Sequence, residues 1–224
     1  MAAWALRFCV TFLMLPLLWG AILWGARPAA AAAERRVALV IGNAAYRHGA
    51  SRTAPVSDIA DLAAVLRSVG FEVLEGHDLD KRAMEQLIRK FSDTLEGAAV
   101  GVFYYAGHGL QVQGQNYLVP VDAQLDTATS LDFEMVRLDL VQRTMERETA
   151  LNLIFLDACR DNPMARNLAR SLGTRSTAVG QGLAAVESGQ GTLISNDFQT
   201  FLKMLTPATS RRTARAAIRP TPRR

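Results

Sequence analysis

VGVFYYAGHG, residues 100–109, is the stretch on which the fold turns. Its first six residues are branched, aromatic or small, too few for a helix and apolar without interruption, which predicts a strand buried on both faces. It closes on a Gly-His-Gly triplet. Immediately upstream, residues 80–96 place Met84, Leu87, Ile88, Phe91 and Leu95 on one helical face. Before them, Gly70 ends a second helical segment, residues 56–69, whose apolar positions are Ile59, Leu62, Leu66 and Val69, and residues 71–74 read as a short strand between the two. The first strand, residues 37–41, is closed by Gly42-Asn43. Strand, helix, strand, helix, strand with continuously apolar strands predicts an α/β fold, a mostly parallel sheet covered by helices on both faces.

Downstream, residues 110–112 and 117–120 predict a hairpin turning at Gly114. A helix follows at 138–147, then a fourth core strand at 151–156 and the start of another at 191–195. There is no internal repeat and no long linker. The ends are different in kind. Arg7, an apolar run over 8–25 and an alanine tract closing at Ala33 have the layout of a secretory leader, residues 1–33, which predicts an exported protein, periplasmic or secreted. The run is long enough to span a bilayer, so an uncleaved membrane anchor is the alternative, and the only route to a membrane partner. All 21 acidic residues lie within 34–202, a stretch holding 16 of the 25 basic ones. The net charge of +4 therefore belongs to the ends, and the folded part is acidic. That argues against a specific nucleic-acid partner.

In open parallel sheets, chemistry gathers beyond the carboxyl ends of the strands. The third strand runs into Tyr104-Tyr105-Ala106-Gly107-His108-Gly109 and the fourth into Asp157-Ala158-Cys159-Arg160-Asp161-Asn162-Pro163. If these strands are neighbours, an imidazole and a thiol meet at one sheet edge, the pairing a thiol nucleophile needs for acyl transfer. Cys9 falls in the leader, so Cys159 is the lone thiol of the mature chain and has no disulfide partner. The backbone amides of Gly109 and Cys159 are the natural oxyanion donors. The glycines flanking His108 are expected to let the backbone approach a substrate.

The separation of 51 residues between His108 and Cys159, with these two segments, resembles the caspase and metacaspase clan of cysteine peptidases in its bacterial branch. The stretch 37–46, with Ile41-Gly42-Asn43, and Asp58 in the first helix resemble the opening of that family, and the likeness runs from 35 to about 195. It implies a three-layer caspase-like sandwich and a cysteine endopeptidase acting on protein or peptide substrates, with His108 and Cys159 catalytic. It further implies that Asp157, which stands where caspases carry Gln, lines an acidic pocket with Asp58, giving cleavage after Arg or Lys rather than Asp. The chemistry requires no cofactor. The resemblance leaves calcium activation open, with no acidic cluster to nominate as its site. Beyond Ser195 the pattern breaks off into residues 196–224, a basic tail read as disordered. The later strands of the family are then expected to be missing, and an inactive, shortened interaction module is the rival reading.

Each residue also has a plainer explanation. Gly107-His108-Gly109 could be a tight turn, Cys159 an inert core thiol, and Asp58 a helix-start acid favoured by the macrodipole. His48 and His77 are read as solvated loop histidines without a role. A zinc site from His108, Cys159 and Asp157 lacks ligand spacing, and Gly42-Asn43 lacks the lysine of a phosphate loop.

Overall fold

The computed structural model describes residues 34–48, 56–125, 127, 129–159, 168–169, 179–180, 183 and 189–195, the side chains of 56–58, 159, 179 and 180 excepted. The expected leader, the turn at 161–163 and the basic tail lie outside the described residues. The chain divides into two units, Met1–Glu34 and Arg35–Arg224, and every element below belongs to the second.

Five strands form the parallel centre, in the order β2 (Phe71–His77), β1 (Arg36–Gly42), β3 (Val100–Val112), β6 (Leu151–Cys159) and β8 (Thr192–Ser195). The apolar alternation of these strands sorts into two cores. Val37, Leu39, Ile41, Phe103, Tyr105, Ile154 and Leu156 face helix α2 (Lys81–Leu95) and helix α4 (Leu138–Glu148), against Met84, Ile88, Phe91, Leu95, Leu138, Val141 and Met145. Ala38, Val40, Val102, Leu153 and Phe155 face helix α1 (Val56–Ser68) through Ile59, Leu62 and Leu66. Both faces are therefore buried, which is why the strands read as unbroken apolar runs. The expected α/β architecture is the one observed.

The helices begin and end where side-chain chemistry dictates. Asp80 caps α2, its carboxylate accepting from the Ala83 amide at 2.8 Å, a contribution of about 1 kcal/mol. Gly70, at φ +88°, follows α1 and turns the chain into β2. At the N-terminal end of β6, Asn152 is 1% exposed and donates through Nδ2 to the Thr149 carbonyl at 3.1 Å. The Thr149 hydroxyl bonds the Asn152 Oδ1. Asn152 stands in register with Gly101. A side chain at Gly101 would sit 3.2–3.3 Å from Leu95, Thr149 and Asn152, so this polar pair occupies the notch the glycine leaves.

Two expectations need correction. Strand β3 does not stop at Tyr105. It is thirteen residues long in all and runs on to Val112, leaves the parallel sheet, and pairs antiparallel with β4 (Gln115–Leu118) and β7 (Val179–Gly180). The Gly-His-Gly triplet is thus inside a strand, not in a turn after one. The turn comes later, at Gln113 and Gly114, both with positive φ, +51° and +80°, the conformation a two-residue hairpin demands. Strand β6 likewise runs on to Cys159. Three short elements carry no periodicity and were not expected: β7, α3 (Ser130–Glu134), and β5 (Val136–Arg137), which adds to β4.

Candidate active site

Parallel pairing of β3 with β6 sets Val100 opposite Leu151 and proceeds rung by rung to His108 opposite Cys159, the last pair of the ladder. The spacing of adjacent strands, about 4.8 Å, therefore separates the two backbones that carry the imidazole and the thiol. One turn of the pleat earlier, Gly42, Ala106 and Asp157 form a row across β1, β3 and β6. Asp157 is exposed, and it continues the side of the sheet on which Leu153 and Phe155 meet α1. Asp58 is the third residue of α1; its side chain is outside the described residues. A side chain at Gly42 would lie 2.5 Å from Ile59 Cγ1, so the start of α1 rests directly over the carboxyl end of β1. Asp58 and Asp157 thus belong to segments at the same end of the sheet.

His108 is 4% exposed. Its peptide group is held by two tyrosines. The His108 N–H donates to the Tyr46 hydroxyl at 2.6 Å, and the Tyr105 hydroxyl lies 2.8 Å from the His108 carbonyl. The same Tyr105 oxygen is 3.1 Å from the Val119 carbonyl and accepts from the Val119 amide at 3.2 Å. The Tyr46 ring also packs on the imidazole, centroids 4.4 Å apart and planes tilted by 42°. Gly107 is what permits this arrangement. A side chain there would lie 2.6 Å from Tyr105 Cζ and 2.8 Å from the Tyr46 oxygen, and at Gly109 one would meet Leu183 at 2.8 Å and Ala158 at 3.3 Å. These glycines were expected to open the backbone to a substrate. What the structure shows for them is close internal packing.

The ladder also decides where the amides point. The Ala106 carbonyl accepts from Asn43 on the β1 side, and the His108 carbonyl accepts from Val119 of the β4 arm. Backbone groups alternate in direction along a strand, so the Gly109 N–H is directed to the opposite side, where β6 ends at Cys159. That is the side an oxyanion donor would need.

The segment bearing Tyr46 is itself built by side chains. Asn43 accepts from the Leu79 amide at 2.9 Å and donates to the Val119 carbonyl at 3.1 Å. Asp78, at φ +47°, accepts from the Ala44 and Ala45 amides at 2.7 and 2.8 Å. Tyr46, Tyr105 and Asp78 were missed as site-building residues by sequence reasoning. The signal for Tyr105 was available, since a buried tyrosine needs a partner for its hydroxyl. Of the histidines set aside, His48 is exposed. His77 is not in a loop: it ends β2, with Nε2 2.7 Å from the Glu75 carboxylate. A cavity of about 430 Å³ opens between α2 and α4, lined by Ile88, Arg89, Val136, Leu140 and Thr144 among others, and holds none of the candidate residues.

Comparisons with known proteins show the family to which the chain belongs. The family model for the caspase domain matches residues 35–216, past the point at Ser195 where the sequence pattern changes. The human mucosa-associated lymphoid tissue lymphoma translocation protein 1 is 36% identical over 128 residues, and its mouse homolog 35%. The match covers 57% of this chain and 15% of either relative, so the chain spans a small part of their length. Among solved structures, the Drosophila initiator caspase Dronc superposes over 71% of this chain and 53% of its own, with 11% identity and a TM-score of 0.46.

Proposed function

Because the chain belongs to the caspase-domain family, a family of cysteine peptidases, we propose that it is a thiol endopeptidase in which Cys159 is the nucleophile and His108 the general base and acid. The observation that carries this reading is the in-register pairing of His108 with Cys159 at the end of the parallel ladder. The imidazole takes the thiol proton, the thiolate attacks the scissile carbonyl, and the amides of Gly109 and Cys159 receive the developing oxyanion. The tetrahedral adduct collapses with loss of the amine, which leaves with the proton from His108. Water, activated by the same imidazole, then hydrolyses the thioester and restores the thiol.

Asp157 and Asp58 select the residue before the scissile bond. Two carboxylates at one end of the sheet attract the cation of an Arg or Lys side chain and repel an Asp by several kcal/mol where solvent is excluded. The leader makes the enzyme an exported one, free in the periplasm or medium once cleaved. Calcium is assigned no site and enters the test as a variable.

The test is hydrolysis of fluorogenic peptides ending in Arg, Lys or Asp, with and without calcium. Cleavage after Arg or Lys is expected, abolished in Cys159→Ala and reduced about 10²–10⁴-fold in His108→Gln. Asp157→Asn is expected to weaken kcat/KM for Arg peptides by about 10–100-fold. Cleavage after Asp would overturn the specificity reading. Silence from a folded protein would overturn the enzyme reading in favour of an inactive caspase-like binding module.

A further inference from the structure

The proton-transfer residue needs more than proximity to the thiol. An imidazole that is 4% exposed pays a desolvation cost for becoming positively charged, and a side chain on a strand that bends from one sheet into another has no helix or tight loop to orient it. Both needs are met by one residue that no sequence motif marked as functional. We propose that Tyr46 is a positioning residue for His108: its hydroxyl anchors the backbone that carries the imidazole, and its ring supports the protonated form. This rests on the assignment of proton transfer to His108.

Three observations carry it. The His108 N–H to Tyr46 hydroxyl bond, 2.6 Å, replaces the ladder partner that the strand loses where β1 ends at Gly42 and β4 has not yet begun. The Tyr46 ring centroid is 4.4 Å from that of the imidazole, inside the range at which a cation is attracted to a phenol ring. The segment that delivers the ring is fixed on both sides. Asn43 donates its amide to Ala106 at 2.8 Å, Arg47 donates its amide to Val121 at 2.8 Å, and Asp78 holds Ala44 and Ala45. Tyr46 itself is 5% exposed. A group held this way keeps its geometry through a reaction cycle, as preorganisation requires.

The other titratable groups on the elements around His108 are Asp58, Asp61 and Arg67 of α1, Tyr117 of β4, and Asp157 and Cys159 of β6, with Asp78 beside the segment that carries Tyr46. The contribution of Tyr46 must be separated from theirs. A Cys159→Ala background removes the coupled titration of the thiol. The other groups are common to every variant and cancel in the comparison.

In that background, the imidazole of His108 in the full chain is titrated by NMR for Tyr46, Tyr46→Phe and Tyr46→Leu. Loss of the ring in Tyr46→Leu is expected to lower the imidazole midpoint by about 0.5–1 pH unit. Tyr46→Phe keeps the ring and is expected to leave the midpoint within about 0.2 units of the parent, while accelerating hydrogen exchange of the His108 amide. With Cys159 restored, Tyr46→Phe is expected to lower kcat about tenfold with little change in KM, and Tyr46→Leu to shift the acid limb of the kcat/KM profile as well. If Tyr46→Leu does not fold, the Tyr46→Phe exchange rate and kcat decide alone. An unmoved midpoint in a folded Tyr46→Leu, or unchanged exchange and kcat in Tyr46→Phe, overturns the proposal. These failures are distinct from failure of the peptidase reading, in which His108→Gln leaves cleavage intact or Cys159→Ala does not abolish it.

Discussion

Substituting Gly107 by alanine tests the tyrosine arrangement through stability. The added methyl would be centred 2.6 Å from Tyr105 Cζ and 2.8 Å from the Tyr46 oxygen, against an ordinary carbon contact near 3.5–4 Å. Neither neighbour can swing aside. Tyr105 is 0% and Tyr46 5% exposed, and each hydroxyl is bonded to the backbone of His108. Overpacking a rigid core costs about 1–3 kcal/mol, and displacing the hydroxyls forfeits at least one hydrogen bond, about 1 kcal/mol more. The expected loss is therefore about 2–4 kcal/mol, a fall in Tm of roughly 5–15 °C for a chain of this size. Gly97→Ala is the control. Nothing lies within 4 Å of its added methyl, though φ is +73°, so its cost is the left-handed strain alone, about 1 kcal/mol. Urea unfolding of the three proteins measures the difference. If Gly107→Ala comes within about 0.5 kcal/mol of Gly97→Ala, the packing account of the glycine is wrong.

Tyr105→Phe removes the hydroxyl shared by the His108 carbonyl and both backbone groups of Val119, and is expected to destabilise by about 1–3 kcal/mol, read by the same unfolding assay. Glu146 gives a pH test. The hydrogen bond from Gln142 is the largest cause holding its carboxyl below the ordinary carboxylate range; burial opposes, and the Thr192 hydroxyl and Gly189 amide add to the lowering. A lowered folded value means this stability is present above about pH 4.3, the unfolded value, and is lost as pH falls through the folded one. Glu146→Gln should therefore show a shallower acid loss than the parent between about pH 5 and 3, by about 1 kcal/mol. Parallel profiles would refute the linkage.

The central architecture was legible because the parallel strands are buried on both faces and the helices are one-faced. Ile59, Leu62 and Leu66, and Met84, Ile88, Phe91 and Leu95, sit where their spacing puts them. The strand ends were not legible. Gly107, His108 and Asp157 look like terminators in isolation, and they remain in strands because each has a partner supplied by a neighbouring strand. Tyr46 was quoted in the sequence only as part of an opening segment. Its role depends on a contact across 62 residues of chain, and such contacts have no local signature. The pairing of His108 with Cys159, by contrast, followed from strand order and a separation of 51 residues.

The notch at Gly101 governs a place seven rungs away along the β3–β6 ladder. Strand β6 is apolar on both sides, so sliding it along β3 by one residue would merely exchange Leu153 and Phe155 with Ile154 and Leu156 between two equally oily environments. Polar contrast, the usual guardian of strand alignment, is absent. What distinguishes one alignment from the next is Asn152, locked to Thr149 beside the vacancy that Gly101 leaves. It acts as an indexing key: seated at one end of the strand, it determines at the other end that Cys159, and not Ala158 or Arg160, comes to rest beside His108.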